Sequence, residues 1–503
     1  MTKTIRTNTK HIAFGDVFFC FLEAEKYLTI EIIQKTSNIF CETGGKERIK
    51  QNILKDKTTN IEELKNKIIE CNNLKEELVK QLKENYRIPE KLIAITGTKG
   101  KTSSCWFTMQ ILGLFGKKCG YIGTLGSYFF DGEKIEKINK EDTLTTPSID
   151  DIYYFLNQFS QRNAEIAVFE TSSHALQQGR IDGLHVDFSV FTNLSQDHLD
   201  YHKTMNNYFN AKSLLFSKYQ KKNDICVING DDERYNELQN ICKKNELKIY
   251  SVGQKQHCDV KIKSITQEND HQNVIFNFNN KDFSFKTDIL GEFQIYNLLE
   301  ALTICKNVLS IDFDKLCEKI NKIKAPIGRM QKVGNTNIFV DFAHTPKSLE
   351  ESIKLLKSRY KNIITVFGCG GNRDKKKRPI MCEIALKLSN FVIITSDNPR
   401  FENPHDIIKD IVCFEEKENK NPLFIDDFVN DEINKINTKY QNQNCDFKII
   451  EDRKEAIKFA VNTYLNKQET AVVIAGKGHE NYQIIGDVKH HFDDFEEVEK
   501  NIK

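Results

Sequence analysis

The 503-residue chain lacks the features that mark several large classes of protein. No apolar run reaches the roughly 18 residues that a membrane-spanning helix needs. None of the 14 cysteines is arranged as C-x-x-C, which argues against a zinc ribbon, a thioredoxin motif and a disulfide framework. Lys plus Arg (73) and Asp plus Glu (71) leave a net charge of only +2, so the chain lacks the basic field of a general nucleic-acid binder.

The N-terminal region also lacks a secretory signal. Its short apolar run, residues 17–22, follows Asp16 and precedes Glu23, without a small-residue cleavage site. We interpret this run as a buried strand. With no paired arrangement of the cysteines, the sequence predicts a cytoplasmic protein with reduced thiols.

Length and hydrophobic content predict several packed domains. Single cores stop growing at about 250–300 residues, and hydrophobic residues make up 39% of this chain. The succession of predicted helices and strands is interrupted at Pro89 and again at the turn 325–328. We therefore predict domains at residues 1–88, 89–325 and 326–503.

Apolar runs alternate with helical patterns through the second and third domains, which predicts α/β domains with largely parallel sheets. The predicted strands are 91–95, 166–169, 188–191, 224–228, 363–367, 391–395 and 471–475. In the first domain, apolar residues that recur every three to four positions predict an amphipathic helix packed on its own small domain, with a partner-binding coiled coil as the alternative. These residues are Ile61, Leu64, Ile68, Ile69, Leu74, Leu78 and Leu82.

A strand that runs into a glycine turn and a helix start forms the clearest motif. Backbone N–H groups in such a loop bind phosphate oxygens, and the helix N-terminus adds a favourable partial charge. Lys101 suits the β- and γ-phosphates, and the Thr102 hydroxyl suits Mg²⁺. The spacing departs from G-x-x-x-x-G-K-[ST], because Ile95 stands at the place of the first glycine. The motif predicts nucleotide binding by Gly97, Thr98, Lys99, Gly100, Lys101, Thr102 and Ser103.

This shortened loop resembles that of the Mur ligases and of the related folylpolyglutamate synthetases, which are ATP-dependent ligases that join an amine to a carboxylate. Further segments resemble the UDP-N-acetylmuramoyl-tripeptide synthetase branch of the Mur ligase family. They are Thr145-Thr146-Pro147, residues 170–180 (E-T-S-S-H-A-L-Q-Q-G-R) and residues 193–202 (N-L-S-Q-D-H-L-D-Y-H), continuing to Tyr208 and Ala211-Lys212. The resemblance runs from about residue 80 to the C-terminus.

The resemblance implies a three-domain α/β fold. A small, diverged N-terminal domain would bind the UDP-sugar. A central domain of the P-loop type, with a mainly parallel sheet, would bind ATP. A Rossmann-like C-terminal domain would bind the amino acid.

Four residues of the central domain are implied to be catalytic. Lys101 would stabilise the transferring phosphoryl group. Glu170 ends a predicted strand at the edge where α/β sheets bind ligands, and His198 follows the next strand; both side chains suit a divalent metal. Lys212 is implied to be N6-carboxylysine, a CO₂-derived carbamate that supplies an anionic oxygen ligand for a second Mg²⁺. The implied metal ligands are Thr102, Glu170, His198 and carbamylated Lys212.

The same resemblance assigns binding residues for three substrates. Those for UDP-N-acetylmuramoyl-L-Ala-D-Glu are Thr9, Thr145, Thr146, Ser172, Gln178 and Arg180, of which Thr9 lies in the diverged N-terminal segment. Those for ATP, besides the loop, are Asn297, Arg329, Asp341 and His344. Those for meso-diaminopimelate are Arg373, Asp397, Asn398, Pro399, Arg400, Gly476 and Glu480. Lysine-adding relatives differ at the position of Arg400, whose guanidinium suits the second carboxylate that lysine lacks.

The resemblance therefore implies an ATP- and Mg²⁺-dependent ligase of peptidoglycan assembly, working as a cytoplasmic monomer. It would phosphorylate the D-Glu carboxylate of UDP-N-acetylmuramoyl-L-Ala-D-Glu and join the acyl phosphate to meso-diaminopimelate. Neither nucleic acid nor a membrane is implied as a partner. The alternatives are a lysine-adding or folylpolyglutamate-type ligase, and a non-catalytic nucleotide-binding relative. Arg400 argues against lysine addition, the segments 145–147 and 172–176 argue against folate, and the four catalytic residues argue against an inactive relative.

Overall fold

The computed structural model describes residues 4–53, 66–138, 144–268, 271–412, 445–465 and 467–502. The chain divides into two compact units, Met1–Lys324 and Ala325–Lys503. Within the described residues, the first unit contains a four-stranded and an eleven-stranded sheet, and the second contains a six-stranded sheet and a two-stranded hairpin. The further division of the first unit near residue 89 stays a prediction.

A small parallel sheet forms the N-terminal part of the first unit. Its strands, in spatial order, are β1 (Ile5–Arg6), β2 (Val17–Cys20), β3 (Asn38–Glu42) and β4 (Ile68–Cys71). Its helices are α1 (Ile30–Lys35), α2 (Gly45–Ile53) and α3 (Leu74–Asn85), with 3₁₀ helices at Thr9–His11 and Leu22–Tyr27. Every residue of β2 is buried, which confirms the predicted buried strand for Val17–Cys20. The last two residues of the predicted run are not part of it, since Leu22 begins a 3₁₀ helix and is 60% exposed.

The helical pattern predicted across residues 61–82 is wrong at Ile68–Cys71, which form strand β4. Ile68 pairs with Ile39 of β3 and is buried, whereas Ile69 is 36% exposed. This alternation has the period of a strand, and only two apolar residues were present to distinguish it from a helix. The pattern holds in α3, whose Leu74, Leu78 and Leu82 are buried. Ile61 and Leu64 lie outside the described residues.

The eleven-stranded sheet is parallel in its centre and antiparallel at both ends. In chain order its strands are β5 (Lys91–Thr96), β6 (Cys119–Gly123), β7 (Gly126–Phe130), β8 (Ile135–Lys137), β9 (Ile166–Glu170), β10 (Phe188–Phe191), β11 (Ile225–Asn229), β12 (Lys248–Gly253), β13 (Val260–Glu268), β14 (His271–Phe278) and β15 (Lys281–Thr287). Strand β5 lies between β9 and β10 in this sheet. The loops that follow these three strands therefore emerge together at the carboxyl edge, where open α/β sheets bind ligands.

Helices connect the strands of this sheet and pack against it. They are α4 (Lys101–Leu114), α5 (Ile149–Gln161), α6 (Ser173–Gln178), α7 (Leu199–His202), α8 (Met205–Lys218), α9 (Tyr235–Lys244), α10 (Glu292–Leu309) and α11 (Phe313–Cys317), with a 3₁₀ helix at Ile320–Lys322. Among the described residues, no helix combines the length and the apolar composition needed to cross a bilayer.

The second unit is built on a sheet of spatial order β16-β17-β21-β18-β19-β20, parallel except for β16. Its strands are β16 (Gln331–Lys332), β17 (Ile338–Asp341), β18 (Asn362–Phe367), β19 (Phe391–Ile394), β20 (Asp446–Ile449) and β21 (Thr470–Ala475), and β22 (Tyr482–Ile485) and β23 (Val488–His491) form the hairpin. Its helices are α12 (Pro346–Lys357), α13 (Lys377–Leu388), α14 (Pro404–Val412), α15 (Arg453–Tyr464) and α16 (Asp494–Ile502). The two sheets confirm the prediction of mainly parallel α/β architecture.

A fully buried ion pair joins α15 to α16. Arg453 Nε and Nη2 each donate to one oxygen of Asp494 at 2.7 Å, and neither side chain has exposed surface. Arg453 Nη2 also donates to the carbonyl of Ala475, at the end of β21, at 3.1 Å. The pair therefore anchors the last helix beneath the loop that follows β21.

We expect Asp494→Asn to lower the free energy of unfolding of this unit by about 3–5 kcal/mol, because it leaves the Arg453 guanidinium buried without its counter-charge. Chemical denaturation would measure the loss. Glu496→Gln on the same helix is the control: its carboxylate pairs with His491 near the surface, so we expect a change of about 1 kcal/mol or less. Equal stabilities of the two variants would contradict the role given to the buried pair.

Candidate active site

The phosphate loop runs from the end of β5 into α4, and two glycines with positive φ shape it. Gly97 has φ +152° and Gly100, the N-cap of α4, has φ +85°. A Cβ on Gly97 would lie 1.9 Å from Thr192 Oγ1, and one on Gly100 would lie 2.3 Å from Asn297 Oδ1. Both positions therefore require glycine for packing as well as for backbone conformation.

We expect Gly100→Ala to weaken nucleotide binding about tenfold or more, because the methyl group must displace Asn297 or the loop and a non-glycine residue at this φ costs about 1–2 kcal/mol. Nucleotide titration calorimetry would measure the change. Gly116→Ala is a matched control, since Gly116 also has positive φ (+76°) but a Cβ on it would meet no atom within 4 Å. Equal losses in the two variants would contradict the role given to Gly100, because Gly116 lies beyond the other end of α4.

Two lysines donate to one carbonyl of this loop. Lys101 Nζ lies 2.8 Å from the Gly97 oxygen and 2.9 Å from the Thr98 oxygen. Lys212 Nζ, from α8, lies 2.7 Å from the same Gly97 oxygen. Lys212 is only 1% exposed, and its burial and the nearby charge of Lys101 hold its pKa well below the usual value for lysine. Its amine is therefore far more available as a neutral nucleophile than that of a surface lysine.

Glu170 ends β9 beside the loop and is almost fully buried. Its carboxylate accepts hydrogen bonds from Thr102 Oγ1 (3.0 Å), Tyr121 OH (2.7 Å), Thr124 N (2.8 Å) and Thr124 Oγ1 (3.2 Å). These four donors hold the buried carboxylate in one orientation. Tyr121 and Thr124 were missed by the sequence analysis, because Tyr121 in β6 and Thr124 just after it reach Glu170 only through the pairing of β6 with β9.

A polar surface extends from Glu170 through residues that the resemblance assigned to UDP-N-acetylmuramoyl-L-Ala-D-Glu. Thr146 Oγ1 donates to the Glu170 carbonyl at 2.9 Å and accepts from Ser172 N at 2.9 Å. Arg180 donates from Nη1 to the Thr146 carbonyl at 2.6 Å and from Nε to Gln178 Oε1 at 2.9 Å. Thr145 Oγ1 accepts from Thr124 at 3.2 Å. The structure thus brings Thr145, Thr146, Ser172, Gln178 and Arg180 together.

His198 packs against other aromatic rings near this surface. Its ring centroid is 4.9 Å from that of His174 and 6.1 Å from that of Tyr208, and its side chain is 46% exposed. Burial and the neighbouring His198 lower the pKa of His174, a residue that the sequence analysis did not single out. Within the described part of the chain, no three His, Cys, Asp or Glu side chains converge as a ready-made metal site.

Two further predicted binding residues of the first unit are Asn297, assigned to ATP, and Thr9, assigned to UDP-N-acetylmuramoyl-L-Ala-D-Glu. Asn297 is buried against Gly100 of the loop, and its Nδ2 donates to Gln294 Oε1 at 3.1 Å. Gln294 therefore orients this amide. Thr9 opens a short 3₁₀ helix capped by Asn8. The adjacent Thr7 donates to Asp150 at 2.6 Å, which ties this segment to the start of α5.

Three residues assigned to ATP surround the end of β17 in the second unit. Asp341 is buried and accepts from the backbone N of Met330 at 3.0 Å and from the Ser352 hydroxyl; its burial raises its pKa. The Arg329 guanidinium lies 4.7 Å from the centre of the Phe342 ring. The His344 imidazole lies 2.9 Å from the Phe342 carbonyl, and burial lowers its pKa.

The segments assigned to diaminopimelate meet at the carboxyl edge of the second unit's sheet. Asn398 Nδ2 donates to Glu480 Oε2 at 2.9 Å, which joins the D-N-P-R turn to the loop after β21. Arg400, with φ +52°, donates from Nη1 to the Gly371 carbonyl at 2.9 Å. The remaining members of the set lie beside these contacts. A Cβ built on Gly476 would lie 3.7 Å from Asp397 Oδ2, and the Pro399 carbonyl packs against Gly371. Arg373 is exposed, in the same glycine loop as Gly371.

Comparison with known proteins finds two family matches: the Mur ligase middle domain at residues 95–305, and the Mur ligase, glutamate ligase domain at residues 328–478. The UDP-N-acetylmuramoyl-L-alanyl-D-glutamate–2,6-diaminopimelate ligase of Rickettsia conorii is 39% identical over 418 residues, which are 82% of this chain and 80% of that protein. The ligase of the same name from Rickettsia bellii is 36% identical over 499 residues, which are 98% and 94% of the two chains.

Solved structures show the same architecture. One of a UDP-N-acetylmuramoyl-L-alanyl-D-glutamate–2,6-diaminopimelate ligase matches with a TM-score of 0.64 at 27% identity, covering 99% of this chain and 94% of that one. The MurF ligase of Thermotoga maritima in complex with ADP shares the fold with a TM-score of 0.59 at 16% identity, covering 99% and 97%. Because the two domain matches cover most of the sequence and the Rickettsia proteins align with it at 36–39% identity, this chain belongs to the Mur ligase family.

Proposed function

We propose that this protein is an ATP-dependent ligase of peptidoglycan synthesis that joins meso-2,6-diaminopimelate to UDP-N-acetylmuramoyl-L-Ala-D-Glu. The γ-phosphate of ATP passes to the D-Glu carboxylate, which gives an acyl phosphate and ADP. The amine of diaminopimelate then attacks the acyl carbon, the amide bond forms, and orthophosphate leaves. The names of the Rickettsia relatives support this substrate pair. Such a ligase works in the cytoplasm, and we propose that it acts as a monomer.

The arrangement at the carboxyl edge of β5, β9 and β10 carries this proposal. The phosphate loop, the Glu170 carboxylate and the polar surface from Thr145 to Arg180 are linked there by direct hydrogen bonds. A nucleotide phosphate and a carboxylate acceptor bound at these groups would be neighbours. Reactions of this kind depend mainly on positioning and on stabilising the charge of the transferring group, which Lys101 is suited to do.

Mg²⁺ fits the donor set beside the loop. The Thr102 hydroxyl and the Glu170 carboxylate are hydrogen-bonded to each other at 3.0 Å, and hydroxyl, carboxylate and phosphate oxygens are the ligands that Mg²⁺ prefers. When bound, the ion would neutralise negative charge on the phosphates. His198 is a further proposed ligand.

Lys212 fits the proposed carbamate. Carbamylation requires a neutral amine, and burial together with the charge of Lys101 lowers the pKa of Lys212. The modification would also replace a neutral amine by an anion beside the positive charge of Lys101, which gives a pair of opposite charges around the Gly97 carbonyl. An anionic oxygen would then be available beside the loop as a ligand for a second Mg²⁺.

Diaminopimelate fits the second unit through its distal ammonium and carboxylate groups. Asp397 and Glu480 supply anionic oxygens for the ammonium, and Arg400 supplies a guanidinium for the carboxylate. L-Lysine has only the ammonium at that end, so it would offer no carboxylate to the Arg400 guanidinium.

A phosphate-release assay tests the proposal. The purified protein is given ATP, Mg²⁺ and UDP-N-acetylmuramoyl-L-Ala-D-Glu with meso-diaminopimelate, L-lysine or L-glutamate. We expect release to require all components and to be fastest with meso-diaminopimelate. Faster release with L-lysine would identify a lysine-adding ligase, and release with a folate acceptor and L-glutamate would identify a folylpolyglutamate-type ligase. No amino-acid-dependent release would identify a non-catalytic nucleotide-binding protein. Analytical ultracentrifugation tests the proposed monomer.

A further inference from the structure

Lys477 is a fully buried lysine between Gly476 and Gly478, in the loop after β21. Its Nζ donates to the Tyr482 carbonyl at 2.6 Å and to Asn398 Oδ1 at 3.0 Å. The same nitrogen lies 3.4 Å from Asp397 Oδ1 and 4.0 Å from Glu480 Oε2. A buried ammonium is costly unless it is both paired and hydrogen-bonded, and these groups supply both conditions.

Lys477 and the backbone N–H of Ile484 together determine how the Asn398 amide is oriented. Asn398 Oδ1 accepts from Lys477 Nζ and from the backbone N of Ile484, each at 3.0 Å. A side-chain amide has one accepting and one donating end. With two donors at Oδ1, Nδ2 must face the other way, where it donates to Glu480 Oε2 at 2.9 Å. Lys477 thus contributes to the orientation of Glu480 through Asn398.

Lys477 also sets the charge of this cluster. Asp397 and Glu480 bring two carboxylates, and Lys477 supplies one positive charge between them. Without Lys477, two buried carboxylates would face each other, and ionising both would be costly. Asp397, Glu480 and Lys477 together keep one excess negative charge, which suits an ammonium group. The Arg400 guanidinium, which also acts on Glu480, would bind the carboxylate of the same amino acid.

We propose that Lys477 is a positioning residue of the amino-acid site, which fixes Asn398 and Glu480 and leaves one net carboxylate charge to receive the distal ammonium of the incoming amino acid. This inference rests on the proposed function and adds a residue that none of the sequence motifs assigned. Lys477 itself has no exposed surface and acts only through its neighbours.

Removing the charge of Lys477 tests this role. We expect Lys477→Met to raise KM for meso-diaminopimelate about 10- to 100-fold, the range for loss of a charge-assisted hydrogen bond. KM for ATP and for UDP-N-acetylmuramoyl-L-Ala-D-Glu should stay within about threefold, because those sites keep their own contacts. Lys458→Met, on the exposed face of α15, is the control and should leave all three KM values unchanged.

The pH profile distinguishes positioning from general damage. Burial and the charge of Asp397 raise the pKa of Glu480, whereas Lys477, Asn398 and Arg400 lower it. The other charge that acts on this carboxylate is the buried guanidinium of Arg453. Since Glu480 must be ionised to bind an ammonium group, Lys477→Met should move the acidic limb of kcat/KM for meso-diaminopimelate to higher pH. A weakened but unshifted profile would contradict the proposal.

A double variant covers the case in which Lys477→Met fails to fold. Lys477→Met combined with Glu480→Gln removes both opposite charges together. If Lys477 acts through Glu480, KM for meso-diaminopimelate in the double variant should be within about threefold of that in Glu480→Gln alone. A further loss of about tenfold or more would overturn the inference.

The activity of the wild-type protein distinguishes a failure of this inference from a failure of the proposed function. Activity in the wild type with an unchanged KM in Lys477→Met would overturn the inference and leave the function standing. A wild type that accepts no amino acid would overturn both.

Discussion

Replacing Lys212 with Ala is expected to abolish amino-acid-dependent phosphate release, with kcat falling by about 100- to 1,000-fold or more. The Lys212 nitrogen lies at the Gly97 carbonyl, inside the loop that we propose binds the phosphates. Carbamylated, it would stabilise the metal and, through it, the charge that develops on the transferring phosphoryl group. Alanine supplies neither an amine for CO₂ nor an oxygen ligand in its place.

Three measurements check the Lys212 prediction. Short free carboxylates should partly restore activity to Lys212→Ala by taking the place of the carbamate. Carbon-13-labelled bicarbonate should give a carbamate NMR signal in the wild type that the variant lacks. Lys218→Ala is a matched control on the same helix, because Lys218 is half-exposed and pairs with Asp182; its activity should be close to that of the wild type. Full activity in Lys212→Ala would rule out the carbamate as part of the reaction.

Arg400→Ala should raise KM for meso-diaminopimelate roughly 30- to several-thousand-fold, while KM for ATP stays nearly unchanged. This range corresponds to about 2–5 kcal/mol for truncating one partner of a buried charged pair, here the guanidinium that would bind the distal carboxylate. L-Lysine lacks this carboxylate, so the variant should discriminate less between the two amino acids. Alanine keeps a Cβ, and the backbone strain at φ +52° is therefore the same in both proteins.

Steady-state kinetics with meso-diaminopimelate and L-lysine distinguish two roles of Arg400, which are binding of the distal carboxylate and support of the glycine loop. Arg400 Nη1 donates to the Gly371 carbonyl at 2.9 Å, so the side chain also supports the glycine loop. If bracing were its only role, Arg400→Ala would impair both amino acids equally, and an unchanged preference ratio would exclude the specificity role. For Arg400→Lys we expect a KM for meso-diaminopimelate between those of the wild type and Arg400→Ala, because an ammonium keeps the charge without the two parallel hydrogen bonds of a guanidinium.

The parallel strands could be predicted because they leave a simple pattern. Strands β5, β9 and β10 are buried on both faces and appear in the sequence as short, nearly continuous apolar runs. Strand β4 has only two apolar residues, in a charged segment, and with so few the helical and extended periods cannot be distinguished. Its assignment depends on pairing with β3, which is a long-range contact and leaves no local signal.

In the candidate site, too, segments with a local sequence signal could be predicted, and residues that depend on long-range contacts could not. The phosphate loop, the D-N-P-R turn and the segment 476–480 have unusual composition, and the family resemblance that they carry is confirmed. The individual roles assigned to their residues stay predictions. Tyr121, Thr124 and Lys477 were missed because each gains its role only from contacts with residues distant in the sequence. Which strand ends meet is decided by the sheet order, and one sequence does not reveal it.

The carbonyl shared by Lys101 and Lys212 implies an order of assembly for the proposed enzyme. Burial and, after it, the positive charge of Lys101 hold the pKa of Lys212 well below its usual value, which favours the neutral amine that reacts with CO₂. A polyphosphate bound at Lys101 would cancel that influence and favour protonation of Lys212 instead. In the proposed enzyme, CO₂ capture by Lys212 would therefore be easier before the nucleotide binds, which would make the carbamate a part of the enzyme's maturation.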